Sequence, residues 1–153
     1  MMAPAILLVE DSALDEELMV RAVRGSKVPG EVIVTRDGAE ALDYLFATGP
    51  HAGRDHRLPQ VVLLDLNLPK LGGLDVLQRI RADDRTKLVV VVMLTSSNET
   101  RDIIASYAER ANGYVVKPAD FLELCATLRT VLQYWVVLNI PAPAVTAASP
   151  WES

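Results

Sequence analysis

Several polar residues of this chain stand where an apolar run stops. Ala5-Ile6-Leu7-Leu8-Val9 runs into Glu10-Asp11, Val61-Val62-Leu63-Leu64 into Asp65, Lys87-Leu88-Val89-Val90-Val91-Val92-Met93-Leu94 into Thr95, and Gly113-Tyr114-Val115-Val116 into Lys117-Pro118. Short apolar runs bounded by turn signals predict strands buried on both faces. In a parallel sheet all these ends lie along one edge, the edge where open α/β sheets bind ligands. Three carboxylates then converge. At an effective dielectric near 20, unit charges about 4 Å apart repel by several kcal/mol. Lys117 offsets one charge, and a hard divalent cation offsets the rest. Mg²⁺ suits carboxylate, carbonyl and water oxygens. No Cys or His stands near these ends, which argues against zinc.

The remaining elements follow from pattern. Ser12 is a helix N-cap, with Asp15 and Glu16 as favourable acids in the first turn. Leu14, Leu18, Met19, Val20 and Val23 give that helix its apolar face, and Gly25 is a plausible stop. Glu31 to Thr35 predicts a short strand. After the Asp37-Gly38 turn, Ala39, Leu42, Leu45 and Phe46 mark a second helix. The polar segment from Thr48 to Gln60 predicts a surface loop. Pro69 and Gly72-Gly73 form the loop after Asp65, and a helix follows through Val76, Leu77 and Ile80. Asn98 to Glu109 is a helix carrying Ile103, Ile104 and Tyr107. Asp120 caps a last helix running from Phe121 to about Leu138. Strands alternating with helices predict a parallel sheet covered on both faces. Five of them suit a flavodoxin-like (βα)5 order. The expected division is one domain over 1–140 and an Ala/Pro-rich tail over 141–153.

Composition narrows the function classes. The chain has 153 residues, half of them apolar, and a formal net charge of −5. With no basic stripe, that balance argues against a nucleic-acid surface. A lone cysteine, Cys125, allows no internal disulfide and fits a reducing compartment. The start lacks the basic region of a signal peptide. No uninterrupted apolar run reaches the roughly 18 residues of a membrane span. The expectation is a cytoplasmic protein with no membrane contact.

These residues resemble the response-regulator receiver domain, the phospho-acceptor half of two-component signalling. The motifs are Glu10-Asp11, Asp65-x-Asn67-x-Pro69 with Gly73, Thr95, and Lys117-Pro118, spread over most of the chain. Thirty positions separate Asp65 from Thr95 and twenty-two separate Thr95 from Lys117. The resemblance implies that Asp65 accepts a phosphoryl group from a sensor histidine kinase. It implies Mg²⁺ held by Glu10, Asp11, Asp65 and the backbone carbonyl of Asn67. Lys117 would pair with phosphoryl oxygens and Thr95 would donate its hydroxyl to them. Tyr114 would be an aromatic switch that follows Thr95, and the Lys117-Pro118 bond would be cis. The long 48–60 loop and the apolar last helix further resemble the single-domain regulators that partner bacterial phytochromes. No charged residue occurs between Thr130 and Trp151. Apolar patches of this kind mark interfaces. The expectation is a homodimer through Tyr134, Trp135, Val137 and Leu138, with the tail reaching onto the partner.

Plainer readings stand beside these. Asp65 alone is a turn carboxylate, Glu10 and Asp11 are helix-start acids, and Thr95 is a strand-end hydroxyl. Lys117 alone is a surface lysine, and Asn67 can be turn chemistry. Tyr114 is also a good half-buried core tyrosine. His51 and His56 read as solvated, and Cys125 as small core packing. Two rival functions remain. A haloacid-dehalogenase-like phosphatase also uses a strand-end Asp and Mg²⁺, but Asn67 stands where its general acid belongs. A receiver-like interaction module that is never phosphorylated has no need of Glu10, Asp11, Asp65 and Lys117 together.

Overall fold

The computed structural model describes residues 4–55 and 57–143. His56 and positions 144–153 of the tail lie outside them. Alternating strands and helices follow the chain: β1 (Ala5–Val9), α1 (Ala13–Gly25), β2 (Glu31–Thr35), α2 (Gly38–Phe46), β3 (Val61–Leu64), α3 (Gly73–Ala82), β4 (Val91–Thr95), α4 (Thr100–Ala108), β5 (Gly113–Val116) and α5 (Phe121–Leu132). The strands form one sheet in the order β2-β1-β3-β4-β5, parallel throughout. This is the flavodoxin-like order expected from the sequence. Its crossovers place the β1, β3, β4 and β5 ends along one edge.

Side chains alternate across each buried strand and build two cores. Leu7, Val9, Val62, Leu64, Val91 and Met93 pack with α2 and α3 through Leu42, Leu45, Val76, Leu77 and Ile80. Ile6, Leu8, Leu63, Val92 and Leu94 face the other way, against α1 and α5 through Met19, Val23, Leu124, Leu128 and Leu132. Continuous apolar runs, rather than alternating ones, are what a sheet covered on both faces requires. Cys125 is half-buried and packs at the edge of the second core. The helix starts are capped as the sequence implied: Ser12 accepts from Asp15 N–H, Asp37 from Glu40 N–H and Asp120 from Glu123 N–H.

Two expectations need correction. The β4 ladder begins at Val91, not Lys87, and Leu88 is exposed in a turn. The cause is Arg81. Its Nη1 donates to the Lys87 and Val89 carbonyls at 3.0 and 2.6 Å, so those groups serve the guanidinium instead of a neighbouring strand. The Lys117-Pro118 peptide is trans, since the described chain has no cis bond. A trans X-Pro bond is intrinsically favoured by about 0.5–1 kcal/mol. The last helix reaches Leu138 as expected: α5 continues without a break into a π-helical turn over Gln133–Leu138, closed by Asn139 N–H donating to Tyr134 O, five residues back. The joined helix Phe121–Leu138 is long and apolar enough to cross a membrane by length and composition. One face of it, through Leu124, Leu128, Leu132 and Val136, packs into the second core, and most of the remaining surface is not buried.

The first part of the 48–60 loop, Gly49 to Arg54, is tied to α2. It opens with a 3-10 turn, Gly49–His51. Arg54 lies 3.9 Å from the Tyr44 ring centroid and donates to the Tyr44 carbonyl at 2.9 Å. His51 meets the same ring edge-on.

Candidate functional site

Each site residue is fixed by the strand that precedes it. Glu10 follows β1 and is almost fully buried; its backbone N–H donates to Thr35 O across the sheet. Its Oε1 accepts from Ser12 N–H at 3.2 Å, at the start of α1. Asp11, next along, is exposed. Asp65 follows β3, and its N–H donates to Val9 O at 3.2 Å, tying it to the end of β1. Its Oδ1 accepts from Asn67 N–H at 3.1 Å, which curls the loop after it. Gly73 lets α3 start directly against that loop. A Cβ there would lie 2.3 Å from Asp65 O and 2.8 Å from Leu66 Cα, so no other residue fits without displacing Asp65.

Lys117 closes the site from β5. Its N–H donates to Thr95 O at 2.7 Å, and its side chain lies buried between the strand ends. The ammonium Nζ is 2.9 Å from Asp15 Oδ2, 3.1 Å from Glu10 Oε2 and 3.6 Å from Asp65 Oδ2. Burial works against its charge. The Asp15 hydrogen bond and the charges of Glu10 and Asp65 outweigh burial and hold it above its ordinary range. Glu10 is pushed up to about 7, first by burial and then by the Asp65 charge, with Lys117 pulling the other way. The acids thus outnumber the cation.

Glu10, Asp11 and Asp65 each bring a carboxylate oxygen to within 4.8 Å of the others. An all-oxygen set of this size is what a hard divalent ion takes, and it offers no soft ligand. The donor set therefore fits a metal.

Thr95 is fully buried at the end of β4, its Oγ1 accepting from Ser97 N–H at 3.5 Å. Tyr114 lies on β5 with its ring against the first core, its hydroxyl donating to Ser97 O at 2.9 Å. Ser97 in turn donates to Asp102 Oδ2 at 2.5 Å on α4. A chain of contacts therefore joins the Thr95 loop to both β5 and α4.

The structure brings Glu10, Asp11, Asp65 and Lys117 together and sets Thr95 and Asn67 beside them. Sequence reasoning missed Asp15, assigned only to helix capping electrostatics, and the Ser97–Asp102 pair. The Asp15 contact spans 102 residues and leaves no local signal beyond an acid four positions after Asp11. On the last helix, Tyr134, Val137 and Leu138 are exposed. Trp135 is half-buried against the second core, edge-on to Tyr134.

A sheet-edge acid cluster with one buried lysine, on this topology, is the site of a response regulator. The pattern of the response regulator receiver domain matches residues 6–129, and the chain belongs to that family. It is similar to the probable methanogenesis regulatory protein FilR2 of Methanothrix harundinacea, with 39% identity over 91% of this chain and 88% of that protein. It is similar also to response regulator Rcp1 of Synechocystis, with 36% identity over 90% of this chain and 92% of that one. Among solved structures, the phosphorylated cyanobacterial phytochrome response regulator RcpA superposes with a TM-score of 0.86 at 36% identity, covering 93% of this chain and all of that one. The bacteriophytochrome response regulator AtBRR does so with 0.74 at 44%, covering 92% of this chain and all of that one. The chain is thus a two-component response regulator homologous to Rcp1 and to the phytochrome response regulators.

Proposed function

We propose that this response regulator takes a phosphoryl group from a sensor histidine kinase onto Asp65 and signals through changed protein contacts. The observation that carries the reading is Lys117 Nζ, buried 3.6 Å from Asp65 Oδ2 among carboxylates that exceed it in charge. Phosphoryl transfer asks mainly for positioning and charge neutralisation. Asp65 is the nucleophile, with Oδ1 occupied by Asn67 N–H and Oδ2 turned toward Lys117. Glu10, Asp11, Asp65 and the Asn67 carbonyl would hold Mg²⁺, which supplies positive charge for the phosphoryl oxygens when bound. A solved structure of Rcp1 is of its Mn²⁺-bound form, which supports a divalent ion here. Lys117 and the Thr95 hydroxyl would meet the phosphoryl oxygens. A displacement of Thr95 reaches Tyr114 and Asp102 through Ser97, so Tyr114 is the proposed switch.

The kinase is a bacteriophytochrome in this reading, supported by likeness to RcpA, AtBRR and the bacteriophytochrome response regulator RtBRR. The receiver would occupy 1–140, in the cytoplasm, without DNA contact of its own. Exposed Tyr134, Val137, Leu138 and Ile140 support self-association through the last helix, with Trp135 backing that face from within.

The test is intact mass after incubation with acetyl phosphate and Mg²⁺, on a column that reports size. One labile phosphoryl group is expected on the natural chain and none on Asp65→Asn. The natural chain should elute as a dimer and a chain truncated after Gln133 as a monomer. No mass gain beside a competent control receiver would leave the unphosphorylated interaction module.

A further inference from the structure

Asp15 makes the shortest contact to Lys117, yet it is not one of the acids that can converge on a metal. It sits on the first turn of α1, on the solvent side of the site, with its side chain 38% exposed. The Lys117 ammonium has three protons. Asp15 and Glu10 take two at hydrogen-bond distance, and Asp65 Oδ2 is left at 3.6 Å, beyond a good hydrogen bond. Asp15 therefore holds an ammonium proton that Asp65 Oδ2 could otherwise accept. With Asp15 gone, the nearest acceptors left are Glu10 and Asp65.

We propose that Asp15 is a positioning residue: it anchors Lys117 short of the nucleophile, so that the unphosphorylated site keeps Asp65 Oδ2 free of a lysine hydrogen bond while Glu10 holds the ammonium's other side. The proposal rests on the reading of Asp65 as phospho-acceptor and of Glu10, Asp11 and Asp65 as metal ligands. On it, Asp15 and the cation cluster share Lys117 in competition. Loss of Asp15 lets the ammonium close on Asp65, where it blocks the nucleophile's oxygen and displaces positive charge that a metal would bring. When a phosphoryl group arrives on Asp65, its oxygens outbid Asp15 for Lys117, and the helix α1 carboxylate is released to solvent.

A direct charge effect of Asp15 on a metal would have the same sign, so the test is a double-mutant cycle. Mn²⁺ affinity is measured by electron paramagnetic resonance of the free ion, without phosphodonor, for the natural chain, Asp15→Asn, Lys117→Met and the pair. Asp15→Asn should weaken Mn²⁺ binding about three- to tenfold when Lys117 is present and leave it unchanged in Lys117→Met, a coupling of the size neighbouring groups show. Asp15→Glu should recover most of the loss. In parallel, Asp15→Asn should slow phosphoryl uptake from acetyl phosphate in a mass assay. Equal losses in both backgrounds, or no loss in either, would overturn the proposal. If the Lys117→Met chain does not fold, a crystal structure of Asp15→Asn decides: Nζ within hydrogen-bond distance of Asp65 Oδ2 supports it, and an unmoved Nζ overturns it. Failure of the natural chain to bind Mn²⁺ or take a phosphoryl group would strike the underlying reading itself, and is told apart from failure confined to the variants.

Discussion

Two buried cations lie at opposite edges of the sheet. Lys117, at the carboxyl ends of the strands, has 8% of its side chain exposed and faces Asp15, Glu10 and Asp65. Arg81, at the other edge, is equally buried and meets no carboxylate among the described residues. It donates to the carbonyls of Arg110, Lys87 and Val89 and to Asn112 Oδ1, at 2.6 to 3.0 Å. Asn112 Oδ1 also accepts from Val91 N–H at 2.8 Å, and Thr86 Oγ1 donates to Ile80 O nearby. Burial and the neighbouring Arg110 lower the affinity of Arg81 for its proton, but a guanidinium remains charged regardless. One edge satisfies its cation with neutral dipoles and is finished. The other surrounds its cation with surplus negative charge, which a bound divalent cation would offset. Burial of a charge does not separate structure from function; the balance of what faces it does.

The largest effect should come from breaking the finished edge. Arg81→Ala removes a charged donor from four acceptors and is expected to lower stability by about 3–5 kcal/mol, read by urea unfolding. Arg81→Lys should recover little, because one ammonium cannot span the same fork.

The unfinished edge predicts a pH dependence of the metal-free protein. Glu10 is held near 7 in the fold against 4.5 as its ordinary value. The folded state therefore binds the extra proton between those limits, and stability falls as pH rises through that window. Linkage puts the total on the order of 2–3 kcal/mol. Thermal unfolding with a chelator from pH 4.5 to 8 should show the decline, and Glu10→Gln should flatten it. Saturating Mg²⁺ should reverse the trend near neutrality, since the metal takes the proton's place. A flat profile for the natural chain would mean that the surplus charge is compensated as fully as at Arg81.

The smallest effect sets the scale for both. The Arg21–Glu17 pair on α1 is 63% exposed on each side. Arg21→Ala should shift stability by under about 0.5 kcal/mol.

Most of the unfinished edge was readable from residue order. Glu10, Asp11, Asp65, Thr95 and Lys117 each end an apolar run, so strand placement alone carries them to one edge. The topology followed from the same alternation. Asp15 was not readable as a site residue, because a first-turn acid is explained locally by the helix dipole and nothing local points to a lysine 102 positions away. Arg81 was opaque for the same reason: charged positions on an amphipathic helix read as solvent-facing, and only tertiary packing shows the guanidinium turned in. The overlong β4 expectation failed because an apolar run reports burial and not which partner takes the backbone carbonyls. The trans Lys117-Pro118 bond departs from what family resemblance implied, and a dipeptide in sequence carries no isomer.

The wide turn at the end of α5 also resets the angular phase of the helix. Leu124, Leu128 and Leu132 recur every four residues, and in an α-helix each such step overshoots a full turn by about 40°. The inward stripe therefore spirals as it climbs. Within the π-helical turn each residue advances through a smaller angle, so Val136 swings back toward the core instead of drifting past it. The outward residues swing with it. Tyr134 and Leu138, four residues apart, then lie almost one above the other along the helix axis, with Val137 to one side, a short exposed ridge that a second helix can meet.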